Sequence, residues 1–140
     1  MTKPEMPDSD DEKGRARLEA ARIRLRIVFG VGGPLGPGKI DLLEAVARTG
    51  SISAAGRELG MSYRRSWLLI DGVNRMFTSP SVVASAGGAQ GGGAHLTPFG
   101  TELIAAYRRV EAATRAAMLA EFASFAEELA EAPEAPANQD

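Results

Sequence analysis

Apolar residues between positions 50 and 77 recur at helical spacing in two blocks that a glycine separates. Ser51 precedes the first block, and its hydroxyl can accept an amide proton of the first turn as an N-cap. Gly60 can adopt the left-handed conformation that ends a helix, and Ser62 can cap the next one. The pattern predicts two helices joined by a tight turn, the helix-turn-helix layout, although Gly56 is unfavourable inside the first helix.

A helical wheel divides the second predicted helix, residues 62–77, into an apolar and a polar face. Arginine can bond guanine edges, while Ser62, Tyr63 and the free amides of the helix start suit phosphate oxygens. The polar face therefore suits DNA, although a solvated helix face would carry the same residue types. The predicted buried face is Ser66, Leu69, Ile70, Val73, Met76 and Phe77, and the outward face is Arg64, Asp71, Asn74 and Arg75, with Trp67 and Leu68 at its margins.

The segment after these helices predicts a β-hairpin in the position of a wing. Residues 81–86 are β-prone, a glycine-rich run follows, and His95, Leu96 and Thr97 form a second short strand. The glycines of the tip permit close approach of the backbone to a phosphate chain or a minor groove. Gln90 is the tip side chain that can bond a base or phosphate. The alternative is a hairpin tip that touches nothing.

Apolar and basic residues alternate strictly over residues 22–27, which predicts a strand packed beside the wing. A helix continuing from Arg15 is the alternative. The row of arginines on the outer side of this strand would be either a solvated face or a secondary phosphate contact. Ile23, Leu25 and Ile27 are expected to face inward, and Arg22, Arg24 and Arg26 outward.

Residues 33–39 match the first seven positions of a phosphate-binding P-loop, but the match fails at the next residue. Ile40 stands where a magnesium-binding Ser or Thr is needed, and Pro34 and Pro37 lack amide donors. Pro37 is better interpreted as the first residue of a helix. That helix is expected to turn Ile40, Leu43, Val46 and Ala47 inward.

No other pattern of catalytic or metal-binding residues is recognised. His95 is the only histidine and cysteine is absent, so no catalytic residue, metal ligand or cofactor is predicted. Asp41 and Glu44 share a helix face that we expect to be solvated.

Thr97 is expected to cap a long helix that begins at Pro98 and ends near Leu129. Apolar residues follow its later half at steps of four, three and four, which match the a/d seam of a coiled coil. The seam predicts a homodimer, and the alternative is packing within the chain against residues 15–22. The predicted dimerisation residues are Met118, Phe122, Phe125 and Leu129.

Charge is distributed unevenly along the 140 residues, whose net charge is −2. Residues 22–115 hold twelve basic and six acidic side chains, whereas residues 116–140 hold six acidic and no basic ones. A basic body between acidic ends is typical of a nucleic-acid-binding protein. No apolar run is long enough to span a membrane and no signal peptide is recognised, so a cytoplasmic location is expected.

The predicted fold is mainly α with a small β-hairpin. Residues 1–21 are expected to form an acidic, largely disordered tail, and residues 131–140 a second one. Residues 22–97 are predicted to form a winged helix-turn-helix domain, and residues 98–130 a long dimerisation helix.

An ordered series of motifs resembles the DNA-binding domain of the ModE family, molybdate-responsive transcriptional regulators with a LysR-like winged helix. The series is Gly36-Pro37-Gly38-Lys39, Leu42-Leu43-Glu44-Ala45, Gly50-Ser51-Ile52-Ser53-Ala54-Ala55, Met61-Ser62-Tyr63-Arg64, Trp67, Asn74, Gly91-Gly92-Gly93-Ala94 and Leu96-Thr97-Pro98-Phe99-Gly100.

The resemblance implies a dimer that binds duplex DNA with residues 62–77 and the wing. Sensor proteins of this family carry oxyanion-binding domains after the winged helix, which are not expected here. The candidate DNA-binding residues are Ser51, Ser53, Ser62, Tyr63, Arg64, Arg65, Trp67, Arg75, Gln90, Gly91, Gly92 and Gly93.

Two functions are therefore compared. The first is a dimeric transcriptional regulator that binds duplex DNA and has no enzymatic activity, which Arg64, Arg75 and the glycine tip favour. The second is a protein-interaction module that docks a partner or a separate sensor protein, which the apolar Trp67 and Leu68 would suit.

Overall fold

The computed structural model describes residues 9–85 and 93–131. This mainly helical chain, with small antiparallel strand pairs and a long C-terminal helix, confirms the predicted fold class. None of the helices in the described residues is long and apolar enough to cross a membrane. In chain order the elements are α1 (Ser9–Glu19), β1 (Ile27–Val28), β2 (Pro34–Leu35), α2 (Pro37–Thr49), α3 (Ile52–Glu58), α4 (Tyr63–Met76), β3 (Val82–Ala84), β4 (Ala94–Leu96), α5 (Pro98–Phe122) and a 3-10 helix (Ala123–Glu128).

The chain divides into two compact units. The central unit is Arg24–Glu111, and the terminal unit is Met1–Ile23 together with Ala112–Asp140. Helix α5 therefore contributes its first part to the central unit and its second part to the terminal unit.

Helix α2 lies at the middle of the core of the central unit. It begins at Pro37, as predicted, and it contacts α3, α4 and β4. Because it is covered from several sides, its buried face is wider than one helical stripe. Ala47 is exposed, so its predicted inward orientation is wrong. The buried residues of α2 are Ile40, Leu42, Leu43, Ala45 and Val46.

The predicted caps of the helix-turn-helix are confirmed. The Ser51 hydroxyl accepts a hydrogen bond from the Ala54 amide at 3.1 Å. The Ser62 hydroxyl accepts one from the Arg65 amide, also at 3.1 Å. Gly60 has a φ of 69°, in the left-handed region that ends α3.

Gly56 has a packing role that offsets its low helix propensity. A Cβ at this position would overlap Ser66 Oγ of α4. The missing side chain therefore permits the close approach of α3 and α4 that the tight turn requires.

Strands β3 and β4 form the predicted hairpin, with Val82 opposite Leu96 and Ala84 opposite Ala94. Its tip lies outside the described residues. The predicted strand over residues 22–27 is wrong in extent, because residues 22–26 are not a strand and β1 begins at Ile27. Strand β1 pairs with β2, with Ile27 opposite Leu35, in a sheet separate from that of β3 and β4. Gly32 and Gly33 explain the pairing, since φ values of 91° and 78° let the chain turn back at once.

Helix α1 corrects the expectation of a disordered tail over residues 1–21, because Ser9–Glu19 is helical. Its stability comes from contacts within the terminal unit. Leu18 is buried, and a Cβ at Gly14 would lie 2.5 Å from the Ala126 carbonyl oxygen. Arg115 donates to the carbonyl oxygen of Glu19, the last residue of α1, and to that of Ala21, two residues further on, at 2.7 Å.

Helix α5 begins as predicted and ends earlier than predicted. Thr97 Oγ1 accepts a hydrogen bond from the Gly100 amide at 3.0 Å, and Pro98 is the first helical residue. The α-helix ends at Phe122 rather than near Leu129, and a 3-10 helix follows. Residues three apart eclipse in a 3-10 helix. The rings of Phe122 and Phe125 accordingly meet edge to face, with centroids 5.6 Å apart.

Candidate nucleic-acid interface

The start of α4 exposes a continuous set of polar and aromatic side chains. Tyr63 is 61% exposed and Trp67 48%, and Arg64 and Arg65 are also exposed. Ser66 turns the other way and is fully buried, where its hydroxyl donates to the Ser62 carbonyl oxygen at 2.9 Å. The predicted division of α4 into an inner and an outer face is correct over this turn.

A groove of about 290 Å³ lies between the start of α3, the start of α4 and the wing. We call it the wing groove. It brings together several residues that the sequence predicted to contact DNA from separate parts of the chain. These residues are Ser51, Ser53, Tyr63, Trp67 and Gly93.

The wing is fixed to the helix-turn-helix through its backbone. The Ala94 amide donates to the Gly50 carbonyl oxygen at 2.9 Å, and the Ser85 amide donates to the Gly93 carbonyl oxygen at 2.8 Å. A Cβ at Gly93 would lie 2.8 Å from the Gly50 carbonyl oxygen. Gly93 is therefore needed for this close approach. Gln90, Gly91 and Gly92 lie outside the described residues.

Asn74 does not face outward, so that prediction is wrong. Its side-chain oxygen accepts from the Ser81 amide at 2.8 Å and from the Val82 amide at 3.3 Å, and its nitrogen donates to the Val82 carbonyl oxygen at 3.0 Å. An amide side chain can satisfy both a donor and an acceptor of a strand backbone. Asn74 thus ties α4 to the first strand of the wing.

The arginines of the outward face differ in their partners. Arg75 pairs with Asp71 at 2.9 Å, one helical turn away. Within residues 9–85 and 93–131, no ion pair is found for the side chains of Arg64 and Arg65. Arg64 and Arg65 therefore retain uncompensated positive charge, which Arg75 largely does not.

The sequence predicts a solvated face at Asp41 and Glu44 on α2, but in the structure both side chains bind a partner. Both accept hydrogen bonds from Arg108 of α5, which also bonds Glu111. The hydrogen bond to Glu44, more than those to the other two acids, raises the pKa of the Arg108 guanidinium above its usual value. These acids are therefore compensated within the central unit.

Lys39 occupies the position in the sequence that a P-loop lysine would take, but it donates hydrogen bonds to backbone carbonyl oxygens. Its ammonium donates to the Pro34 carbonyl oxygen at 2.7 Å and to the Gly32 carbonyl oxygen at 3.3 Å. Burial, and secondly the nearby Arg26 charge, lower the pKa of Lys39. The lysine closes the turn between β1 and β2 rather than a nucleotide cradle.

Curated proteins with similar sequences are named as molybdenum-pterin-binding proteins, molybdenum transport proteins and transcriptional regulators. No protein-family model matches the chain. The chain is 49% identical over 81 residues to the molybdenum-pterin-binding protein MopB of Rhodobacter capsulatus, which covers 58% of this chain and 30% of MopB. It is 42% identical over 88 residues to the molybdenum transport protein ModE of Azotobacter vinelandii, covering 63% of this chain and 33% of that protein.

A third relative is the DNA-binding transcriptional dual regulator ModE of Escherichia coli K12, 39% identical over 71 residues. That match covers 51% of this chain and 27% of the relative, so the chain spans about a third or less of the curated relatives it matches. The resemblance predicted from the sequence motifs is confirmed: the matched part of this chain is similar to ModE and Mop proteins.

Proposed function

We propose that this chain is a transcriptional regulator that binds duplex DNA in a sequence-specific manner and acts as a dimer. The wing groove carries this proposal, because it brings the starts of α3 and α4 together with the wing. The exposed Arg64 and Arg65 lie in the same first turn of α4 as Tyr63. The helix-turn-helix places the start of its second helix in the major groove. In this chain that helix is α4.

The side chains at the start of α4 divide into two roles. Arg64 is the residue proposed to bond a guanine edge, since it is exposed and without an ion pair among the described residues. Ser62, Tyr63 and Arg65 are proposed to hold phosphates, because hydroxyls, helix-start amides and arginine suit phosphate oxygens. Ser51 and Ser53 contribute hydroxyls at the start of α3, and Trp67 lines the same groove.

The wing is proposed to contact the DNA backbone. Its strands are fixed by Gly50 and Asn74, so its position relative to α4 is determined by the fold of the central unit. Residues 90–93 are proposed to approach a minor groove, where glycine permits close contact.

Dimerisation is proposed to use the aromatic patch, which we define as Phe122 and Phe125. Phe122 is 49% exposed and Phe125 is 50% exposed, although the neighbouring Ala126 is buried within the same unit. Met118 and Leu129, half-buried, flank the patch. Two-fold association of this kind is the usual way in which a helix-turn-helix protein reads two half-sites.

The names of the relatives support the proposal at the family level. The Escherichia coli relative is named as a DNA-binding transcriptional dual regulator, and neither MopB of Rhodobacter capsulatus nor the two ModE relatives are named as enzymes. We extend this role to the present chain, and we propose that it is not an enzyme.

A second candidate is a module that docks another protein. It is favoured by Trp67 and Leu68, which are 48% and 51% exposed on the same helix as Arg64. Such exposed apolar residues at the edge of a polar face are common in protein interfaces. The DNA proposal is preferred because Arg64 and Arg65, for which the described part of the chain provides no ion pair, adjoin them.

Selection of genomic fragments by the purified chain, followed by sequencing, tests the proposal. The expected result is enrichment of a two-fold symmetric sequence with half-sites about 10 base pairs apart. Binding of the enriched duplex should exceed binding of a scrambled duplex by a factor of about 10³ or more. Equal recovery of all fragments, or none, would favour the protein-docking module.

A further inference from the structure

A second groove of the central unit is lined by positive charge. It has a volume of about 350 Å³ and lies between the β1–β2 hairpin, the start of α2 and α4. Four cationic side chains line it, and none of the ten described residues in its lining is acidic. These four, which define the basic groove, are Arg24, Arg26, Lys39 and Arg65.

The arginines before β1 are held in place by the fold. Tyr107 of α5 donates a hydrogen bond to the Leu25 carbonyl oxygen at 2.6 Å. Leu25 is half-buried, whereas Arg24 and Arg26 on either side of it are exposed. The predicted alternation thus continues through residues 24–26, which precede β1, and Arg24 and Arg26 line the same groove. Arg26 also packs against Gly36, where a Cβ would lie 3.4 Å from its Cγ.

The charges of the basic groove are not compensated by the acids of the central unit. Over the described residues, none of its four cations takes part in an ion pair. Those pairs instead use Asp41, Glu44, Glu58, Asp71 and Glu111, and these acids are therefore not available to the groove.

Arg65 links the basic groove to the proposed DNA surface. It belongs to the first turn of α4, next to Arg64, and its amide is bonded by the Ser62 cap. A duplex bound to the start of α4 therefore brings its phosphates to one edge of the basic groove.

We infer that the basic groove binds the phosphate backbone of the duplex, beside the bases that α4 contacts. This inference rests on the proposed function and extends its binding surface to the β1–β2 hairpin. Three separate segments supply the cations, which suits a run of phosphates. All four are partly open to solvent, unlike the enclosed donors that would select one small anion.

The charge-neutral double variant Arg24→Gln/Arg26→Gln tests the inference. Its binding to the enriched genomic duplex is measured by fluorescence anisotropy over a series of salt concentrations. Each lost phosphate contact should weaken binding about tenfold near 0.1 M salt and make the salt slope less negative by about one. The loss should be equal for the enriched and the scrambled duplex, because phosphate contacts carry no sequence information.

Two further double variants make the result specific. Arg48→Gln/Arg109→Gln removes the same charge from exposed positions outside the basic groove, and it should bind within about threefold of the parent chain. Arg24→Lys/Arg26→Lys keeps the charge and should recover most of the lost affinity, since lysine binds phosphate as a point charge. Circular dichroism of each variant verifies that it is folded.

The outcomes separate this inference from the proposed function. If the parent chain binds DNA with a steep salt slope and Arg24→Gln/Arg26→Gln binds equally well, the basic groove is not a DNA contact and the proposed function stands. Saturable binding of inorganic phosphate to the basic groove of the parent chain, together with unchanged DNA binding by Arg24→Gln/Arg26→Gln, would also overturn the inference. The groove would then be a small-anion site. Absence of DNA binding by the parent chain would overturn both.

Discussion

Two surfaces of this protein expose aromatic side chains, and they differ in the charge that surrounds them. Tyr63 and Trp67 lie beside Arg64 and Arg65 in the central unit, which holds ten basic and six acidic residues. Phe122 and Phe125 lie in the terminal unit, which holds six basic and twelve acidic residues.

The comparison shows that exposure alone does not identify a partner. Aromatic side chains beside exposed arginines can contact an anionic backbone without repulsion. The same side chains beside carboxylates cannot approach phosphate favourably, since like charges repel. The surrounding charge therefore supports the DNA proposal for the central unit and argues against DNA at the aromatic patch, where the proposed dimer would rest on contact between the exposed rings.

Glutamate in place of both phenylalanines of the aromatic patch should have the largest effect. Phe122→Glu/Phe125→Glu should give a folded monomer, because the core of the central unit does not include either residue. Affinity for a two-half-site duplex should fall by a factor of about 10² to 10⁴, since the half-sites no longer bind as a unit. Light scattering and anisotropy measure the two effects.

The control for this variant places the same charges elsewhere on α5. Ala116→Glu/Ala117→Glu alters two exposed residues outside the a/d seam and should remain dimeric. A parent chain that is monomeric at tens of micromolar would refute the dimer, as would a phenylalanine double variant that stays dimeric.

Removal of the Asn74 side-chain amide should weaken the proposed DNA surface and leave the aromatic patch unchanged. Asn74→Ala loses three hydrogen bonds to the wing and should lower the free energy of unfolding by about 1–3 kcal/mol. Affinity for DNA should fall while the dimer persists. Asn74→Asp keeps the acceptor and should retain part of the stability; chemical denaturation of both variants measures the difference. Equal stability of Asn74→Ala and the parent would contradict this role.

Arg64→Ala sharpens the assignment of the central surface. It should cost about 1–3 kcal/mol of DNA affinity and relax the base preference at one position of each half-site. Arg75→Ala should cost less, because Asp71 already compensates Arg75. Competition between duplexes that differ at single positions gives both quantities. Unchanged affinity and preference in Arg64→Ala would show that another turn of α4 faces the bases.

Local signals in the sequence predicted the helix-turn-helix well. Ser51, Ser62 and Gly60 have the chemistry of caps and turns, which depends on neighbours only a few residues away. The spacing of buried residues along α4 is that of a helix with one face packed against the core. Features of this kind can be predicted because the determining contacts are local.

Features that depend on distant contacts were missed or misplaced. Asn74 looks like an outward polar residue until the wing strand is placed beside it. Ser9–Glu19 has little apolar content of its own and folds against Ala126 and Arg115, more than 90 residues away in the sequence. Ala47 was misplaced because the several elements covering α2 do not show in its periodicity.

The salt dependence of binding to the enriched duplex tests the central claim most directly. If a dimer neutralises about six phosphates, a plot of log K against log salt concentration should have a slope near −5. Such a slope, with tighter binding to the enriched than to the scrambled duplex, is the predicted result. A flat dependence, or no binding in low salt, would contradict the account and favour a protein partner for the surface around Trp67.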